Sequence, residues 1–207
     1  MKISPKLVCI ILLGLNIFPS NFLAQTKSQA IIDSDFTFDE IFSGKTIPEN
    51  VVKDLTLISV EYYSFDDLLH RGQIVIHKEL AKDILEIFQL IKEKRFPVGK
   101  VIPVNKYAWS DDSSMADNNS SAFNYRRVKG TKKLSSHSLG RAIDINPLLN
   151  PQIKNGKSYP EGSTYDKNVK GTITHDSFIV NEFVKRGWKW GGHWKRNKDY
   201  QHFEKLR

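Results

Sequence analysis

The sequence contains a single cysteine among its 207 residues. One cysteine cannot close an intramolecular disulfide or supply a four-cysteine zinc finger, so both kinds of stapled domain are excluded. Glycine and proline are also modest, at 12 and 8 residues, and 40% of the chain is hydrophobic. This composition excludes collagen-like and disordered chains, and the length suits one compact domain or at most two small ones.

Long apolar runs are lacking except near the amino terminus. Residues 7–18 (LVCIILLGLNIF) follow Lys2 and Lys6, and Pro19 and Ala24 come next. A positive start, an apolar run and a small residue are typical of a secretory signal, so we expect a signal at residues 1–24. An uncleaved anchor is less favoured, because a bilayer span needs ~20 apolar residues. We therefore expect an exported protein in the periplasm or cell envelope, with no stable membrane span after cleavage.

Acidic residues are fewer than basic ones, 23 against 31, which gives a formal charge of +8. Loss of Lys2 and Lys6 with the signal leaves +6, and Cys9 is lost as well. A positive charge favours an acidic partner, such as nucleic acid, a membrane or a wall polymer. The lysines are scattered and no recognised nucleic-acid motif is present, so we expect no nucleic-acid partner. Without a thiol, the mature chain must hold any metal with His, Asp or Glu.

Hydrophobic periodicity becomes clear only after residue 55. Residues 25–55 mix polar and apolar residues, and we interpret them as a lead-in segment. Residues 56–62 and 73–77 are typical of strands, and Arg71-Gly72 before the second run predicts the connection of a hairpin.

Two later segments have helical periodicity. Residues 77–96 predict a helix that ends before Pro97, and residues 174–186 predict a second one. The apolar face of the first helix is formed by Leu80, Ile84, Ile87, Phe88 and Ile91. Residues 109–127 are too rich in Ser, Asn and Asp for a core element. This mixture predicts a single α+β domain over residues 56–207.

The segment SSHSLGRAIDINP, residues 135–147, places a carboxylate inside a strand-like run. Asp144 lies between two isoleucines, where a carboxylate is costly unless it is paired, hydrogen-bonded or bound to a metal. His137 precedes it, and a turn at Gly140 can bring the imidazole back beside the carboxylate. The alternative is an aspartate satisfied by backbone amides and a histidine that is merely exposed.

The carboxyl-terminal segment GWKWGGHWKRNKDYQHFEKLR, residues 187–207, places Asp199 three residues before His202. An acid at this spacing from a histidine is typical of hydrolytic zinc sites, where the acid activates water. The alternative is a tryptophan-rich edge of the core with a charged tail. Together with His137 and Asp144, His202 completes three ligands, and three ligands with one open position describe a catalytic zinc site.

These motifs resemble the zinc D-alanyl-D-alanine carboxypeptidases and dipeptidases, a family that includes L-alanyl-D-glutamate endopeptidases. The pattern SxHxxGxAxDI is formed by Ser135, His137, Gly140, Ala142, Asp144 and Ile145. The stretch GW-WGG-W…DYQHF is similar to the second motif of the family, and residues 120–127 (SSAFNYRR) resemble its arginine-bearing segment. The resemblance extends from about Val60 to the end. It implies the fold shared with the hedgehog signalling domain, in which a small antiparallel sheet carries the zinc site and helices pack on it.

The resemblance implies a role for each matching residue. His137, Asp144 and His202 correspond to the ligands of Zn²⁺, and Asp199 corresponds to the catalytic acid. That acid is usually Glu in the dipeptidases and Asp in several endopeptidases, so the substrate of this chain stays open. Zinc lowers the pKa of bound water to about 7, and a nearby carboxylate can accept the proton and later protonate the leaving amine.

Three further positions follow from the same resemblance. Arg126 corresponds to the arginine that stabilises negative charge on the scissile carbonyl, and its neighbour Arg127 is the competing candidate. Ser135 either hydrogen-bonds the substrate or only shapes the turn. Trp194 can form a wall of the substrate cleft.

The sequence as a whole therefore indicates an exported zinc metallopeptidase that hydrolyses peptidoglycan stem peptides, most similar to a D-alanyl-D-alanine carboxypeptidase. Asp199 is expected to serve as the general base. An L-alanyl-D-glutamate-type endopeptidase and a non-catalytic zinc module that binds the cell wall are the alternatives. We expect a monomer.

Overall fold

The structure is a computed structural model that describes residues 29–206 of the chain. The expected signal at residues 1–24 lies outside that range. Among the described residues, no helix combines the length and the apolar character that crossing a bilayer requires.

Short strands and helices alternate along the described chain. The strands are β1 (Ile31–Ile32), β2 (Leu55–Tyr63), β3 (Leu69–His77), β4 (Lys100–Val101), β5 (Asn119–Ser120), β6 (Ala142–Asp144), β7 (Gln152–Lys154), β8 (Lys157–Tyr159), β9 (Lys189–Trp190) and β10 (His202–Glu204). The α-helices are α1 (Phe38–Ile41), α2 (Glu49–Val52), α3 (Ala81–Glu93), α4 (Asp111–Ala116) and α5 (Phe178–Lys185). The mixture of strands and helices in one small domain confirms the α+β fold class.

The hairpin expected from the sequence is present, but its connection was placed wrongly. Strands β2 and β3 pair antiparallel, and Tyr63 faces Leu69 at the closed end. The turn is formed by residues 64–68, where the Asp66 side chain accepts a hydrogen bond from the backbone of Leu68 at 2.9 Å. Asp67 supplies the positive φ of 62° that the turn needs.

Gly72, which was expected in that connection, lies in the middle of β3. A β-carbon at this position would lie 2.1 Å from the backbone oxygen of Val101, which belongs to β4. The glycine therefore permits a close approach of β4 to β3, which is the second common reason for glycine in a strand.

Helix α3 covers one face of this hairpin. All five residues of the expected apolar face are buried, with exposed fractions of 2% or less. The α-helix begins at Ala81, because residues 78–80 form a turn of 3₁₀ helix, and it ends at Glu93, before Pro97. The second expected helix is also present, although α5 begins only at Phe178.

The lead-in segment is packed against the hairpin. Strand β1 pairs in parallel with β3, and the Gln73 side chain forms two hydrogen bonds with the backbone of Phe36, at 2.8 and 2.9 Å. Ile41 and Val51 from this segment join Leu55 in a second, smaller hydrophobic cluster. The described part of the lead-in therefore contributes to the core beside the hairpin.

The expectation that residues 109–127 stay out of the core is wrong. Six residues of this stretch are buried: Ser114, Asn119, Ser120, Ala122, Phe123 and Asn124. The Asn119 side chain accepts from the amide of Ile102 and donates to its carbonyl, both at 2.8 Å. A polar side chain that replaces strand-like hydrogen bonds in this way can be buried without an unsatisfied group.

A second three-stranded sheet, in the order β6-β10-β9, lies in the carboxyl-terminal half. Both pairings are antiparallel, as expected for the sheet that carries the site. Phe203 of β10 stacks on Phe183 of α5 with ring centroids 4.0 Å apart, and this contact fixes the sheet on the helix.

Candidate metal centre

Strand pairing brings two of the three expected ligands together. His202 at the start of β10 lies directly opposite Asp144 at the end of β6. His137 comes from the 3₁₀ helix Ser136–Leu139, which precedes β6. The three side chains are buried, and one ligand atom from each lies within 4.8 Å of the others.

A hydrogen bond to the backbone orients the His137 ring. Its Nδ1 donates a hydrogen bond to the carbonyl oxygen of Ala122 at 2.5 Å, because a carbonyl can only accept. This bond leaves the lone pair on Nε2, which lies 3.3 Å from Oδ2 of Asp144. A histidine oriented through its second nitrogen is the usual arrangement of a metal ligand.

Gly140 forms the turn between His137 and Asp144, as the sequence predicted. Gly140 has φ of +61°, which residues with a β-carbon adopt at a cost. A β-carbon there would also lie 2.6 Å from a methyl group of Leu55 and 2.7 Å from the backbone nitrogen of His77. The carbonyl of Gly140 accepts a hydrogen bond from that nitrogen at 2.9 Å, so the turn is fastened to β3.

His202 presents its other ring nitrogen to the site. Its Nδ1 lies 2.9 Å from Oδ1 of Asp144 and 3.2 Å from Nε2 of His137. Its Nε2 faces Oε2 of Glu204 at 3.6 Å, on the same side of β10. Each histidine therefore points one nitrogen at the carboxylate of Asp144 and directs the other to a protein oxygen.

The site attracts positive charge. Burial alone raises the pKa of Asp144, but the charges and hydrogen bonds of His137 and His202 outweigh it and hold that pKa well below its usual range. Burial alone lowers the pKa of His202, but Asp144 and Glu204 reverse this effect and raise it to about 10. A buried pocket that retains a proton so strongly is suited to a cation.

Asp199 lies beside this cluster and differs from it chemically. It is buried, its Oδ2 accepts a hydrogen bond from Nε2 of Gln152 at 2.7 Å, and its Oδ1 has no partner among the described residues. Burial, together with the charge of Asp144, raises the pKa of Asp199 to about 6 against the opposing charge of His202. A carboxylate with a free oxygen and a pKa near neutrality is suited to general base catalysis.

Gln152 was not identified in the sequence. It lies at the start of β7, 47 positions before Asp199, and no spacing or motif connects the two residues. Only the three-dimensional fold reveals the contact.

The two arginines that the sequence left open lie in different surroundings. Arg126 is partly buried, and its backbone exchanges hydrogen bonds with the hydroxyl of Ser138, next to His137. Its guanidinium forms an ion pair with Asp111 at 2.7 Å. Arg127 is exposed and donates to the carbonyl of Lys132 within the neighbouring loop. Arg126 is therefore the arginine that is hydrogen-bonded to the 3₁₀ helix of His137, one of the expected ligands.

Comparison with known proteins agrees with this geometry. Residues 129–205 match the family model described as D-alanyl-D-alanine carboxypeptidase. Over these residues the chain is similar to this peptidase family. The resemblance found in the sequence is confirmed over this range, which contains all three residues of the cluster together with Asp199. The segment 120–127, with Arg126, lies outside the matched range. No curated protein and no solved structure matches the chain.

The donor set fits the metal that such peptidases require. Two imidazole nitrogens and one carboxylate are buried and preoriented, and three protein ligands leave a coordination position open. Ligands of this kind suit zinc and neighbouring transition metals rather than magnesium or calcium, which prefer oxygen.

Ser135 and Trp194 lie at the edge of the cluster. The Ser135 hydroxyl accepts a hydrogen bond from the backbone of His137 at 3.3 Å, so it caps the 3₁₀ helix and shapes the turn. The Trp194 ring lies 5.5 Å from the ring of His202 and is partly exposed. Both positions are therefore adjacent to the ligands, and Trp194 also borders the solvent.

Proposed function

We propose that the protein is an exported zinc metallopeptidase that acts on peptidoglycan stem peptides in the cell envelope and removes a terminal D-alanine. One observation carries this proposal: a buried His-Asp-His cluster lies beside a second buried carboxylate, Asp199, which has a free oxygen. A structural zinc site has no need of that second carboxylate, whereas a hydrolytic site requires it to activate water.

His137, Asp144 and His202 would hold the zinc ion through Nε2, a carboxylate oxygen and Nδ1. Zinc supplies Lewis acidity and lowers the pKa of a water molecule to about 7. The carbonyl of Ala122 and the carboxylate of Glu204 keep the two imidazole rings in the orientation that binding requires.

Asp199 would transfer a proton from the attacking water to the leaving amine. Its Oδ1 accepts a proton from the water that attacks the scissile carbonyl, and the same oxygen then protonates the leaving amine. The carbon–nitrogen bond breaks as this proton arrives, and the carboxylate is regenerated. The raised pKa of Asp199, about 6, suits both halves of this transfer near neutral pH.

Arg126 would stabilise the negative charge that develops on the carbonyl oxygen. In the structure its guanidinium pairs with Asp111, and each of the two side chains is 29% exposed. A guanidinium that is paired with one carboxylate retains further N–H groups for a substrate oxygen.

An L-alanyl-D-glutamate-type endopeptidase is the second candidate. The identity of residue 199 favours it, since aspartate at this position is found in several endopeptidases of the family, whereas the dipeptidases usually have glutamate. The two activities share the same metal chemistry and differ in the amide bond that is cleaved.

Digestion of purified muropeptides separates these candidates. We expect the zinc-loaded protein to release free D-alanine from a stem pentapeptide, and we expect a chelator to stop the reaction and zinc to restore it. Cleavage between L-alanine and D-glutamate would instead support the endopeptidase. Intact peptides with a zinc-loaded protein would contradict both and support a binding module.

A further inference from the structure

The β7–β8 hairpin is docked on the segment that carries Asp199. The backbone nitrogen of Ile153 donates to the carbonyl of Lys198 at 2.6 Å, and that of Tyr200 donates to Pro151 at 3.2 Å. These bonds place Gln152 directly opposite Asp199 in an antiparallel bridge. The hairpin therefore fixes the position from which the Gln152 side chain reaches the carboxylate.

The contact between the two side chains is direct. Nε2 of Gln152 donates a hydrogen bond to Oδ2 of Asp199 at 2.7 Å, and this bond occupies one of the two carboxylate oxygens. The other oxygen, Oδ1, is buried and has no partner among residues 29–206. Because an aspartate carboxylate rotates broadly about its last torsion, the bond from Gln152 to Oδ2 restricts the orientation of the carboxylate.

The backbone of Asp199 is fixed independently of Gln152. Its nitrogen donates to the carbonyl of Gly191 at 3.2 Å. A β-carbon on Gly191 would lie 2.4 Å from the Asp199 carbonyl oxygen and 2.8 Å from its β-carbon, so the two segments are in close contact. The backbone thus has little freedom, and the orientation of the carboxylate remains for Gln152 to set.

We propose that Gln152 is a positioning residue that orients the Asp199 carboxylate and directs Oδ1 toward the reacting water. This inference rests on the proposed function, in which Asp199 is the general base. Proton transfer requires the base within hydrogen-bond reach of the proton, so a rotated carboxylate transfers it poorly. Gln152 touches neither substrate nor metal in this scheme and acts only through Asp199.

The contact can be tested in the metal-free protein, without reference to catalysis. The side-chain amide signals of Gln152 in a ¹H–¹⁵N NMR spectrum are identified by their loss in Gln152→Met. We expect Asp199→Ala to shift these signals, because the acceptor is removed. Asp176→Ala, which changes a carboxylate that is 99% exposed, should leave them in place. Signals that do not respond to Asp199→Ala would overturn the proposal.

The consequence is tested by kinetics of the zinc-loaded protein. Gln152→Met keeps the length of the side chain and removes the donor, and we expect kcat to fall roughly 10- to 100-fold, a loss of the size seen for hydrogen-bond partners that orient metal ligands. We expect KM to stay within about twofold and the zinc content to be unchanged. Gln73→Met is the matched control, since it removes the hydrogen bonds that this glutamine of β3 forms with the backbone of Phe36.

The outcomes separate this inference from the proposed function. Full activity of Asp199→Ala would refute the general base and with it the proposed function. Loss of activity in Asp199→Ala with an unchanged kcat in Gln152→Met would refute only the positioning role. A fall in kcat that is equal in Gln152→Met and Gln73→Met would also refute it, since the effect would then be one of general stability.

Discussion

Nε2 of His137 and Nδ1 of His202 lie 3.2 Å apart. The remaining nitrogen of each ring is directed to a protein oxygen, the carbonyl of Ala122 for His137 and the carboxylate of Glu204 for His202. Two nitrogen lone pairs at this distance repel each other unless a proton or a metal ion lies between them, and Asp144 adds a negative charge at the same point. The fold therefore brings these groups together in a way that favours a bound cation.

Replacing Asp199, the proposed general base, should separate catalysis from metal binding. Asp199→Asn retains the size of the side chain but cannot accept the proton, so we expect kcat to fall ~10²- to 10⁴-fold. Zinc content should stay that of the wild type, because Asp199 is not part of the ligand cluster. Asp176→Asn changes an exposed carboxylate and is the control. Wild-type rates in Asp199→Asn would rule out this role.

The two neighbouring arginines form a matched pair of variants. We expect Arg126→Ala to lower kcat ~10²- to 10³-fold, because a charge that stabilises the developing oxyanion is removed. Arg127 is exposed and bound to its own loop, so Arg127→Ala should change kcat by about twofold or less. Steady-state kinetics on one muropeptide measures both, and the reverse ranking would assign the role to Arg127.

The turn at Gly140 should be among the positions most sensitive to a single methyl group. Gly140→Ala combines a strained φ with a collision against Leu55 and the backbone of His77, so we expect a loss of roughly 2–5 kcal/mol in the free energy of unfolding. Gly130 also has a positive φ, but a β-carbon there meets nothing within 4 Å. Gly130→Ala should therefore cost only about 1 kcal/mol. Urea unfolding of both variants gives the comparison, and equal losses would show that the close contact at Gly140 contributes nothing.

The stabilisation that His70 contributes to the fold should decrease as the pH rises. Burial alone lowers the pKa of His70, but its hydrogen bonds to Asp33 and Asp66 outweigh this and raise it. Since the folded pKa lies above the unfolded value of ~6.5, the stabilisation is fully present below ~6.5 and is lost as the pH rises through the folded pKa.

Urea unfolding of the wild type and of His70→Gln across this pH range isolates the effect. The difference between the two proteins should be largest at the acidic end and should shrink as the pH rises. His175→Gln, at a side chain that is 80% exposed, should reproduce the wild-type curve. A difference that grows with pH would show that His70 is stabilising in its neutral form.

The metal cluster could be assembled from the sequence because its motifs are local and chemically costly. A carboxylate at residue 144 in an apolar strand and an acid–histidine pair near the carboxyl terminus both require partners. Antiparallel pairing of β6 and β10 then supplies the register that puts His202 opposite Asp144. The spacing of apolar residues predicted helix α3 equally well, since one face of this helix is buried along its length.

The errors arose where a residue type has two physical uses. Gly72 is in a strand because another strand passes within contact distance, and its sequence context is the same as that of a turn glycine. Asn119 is buried because its amide replaces backbone hydrogen bonds with Ile102, although asparagine is usual in loops. Gln152 contacts Asp199 only through tertiary pairing. Such uses depend on neighbours that are distant in the sequence.

The zinc content of the purified protein, measured by native mass spectrometry, tests the central claim most directly. The account predicts one zinc ion per wild-type chain, loss of that ion in His202→Ala, and retention of it in His193→Ala, whose exposed histidine is outside the cluster. A wild-type chain that binds no zinc, or a His202→Ala chain that keeps it, would contradict the account.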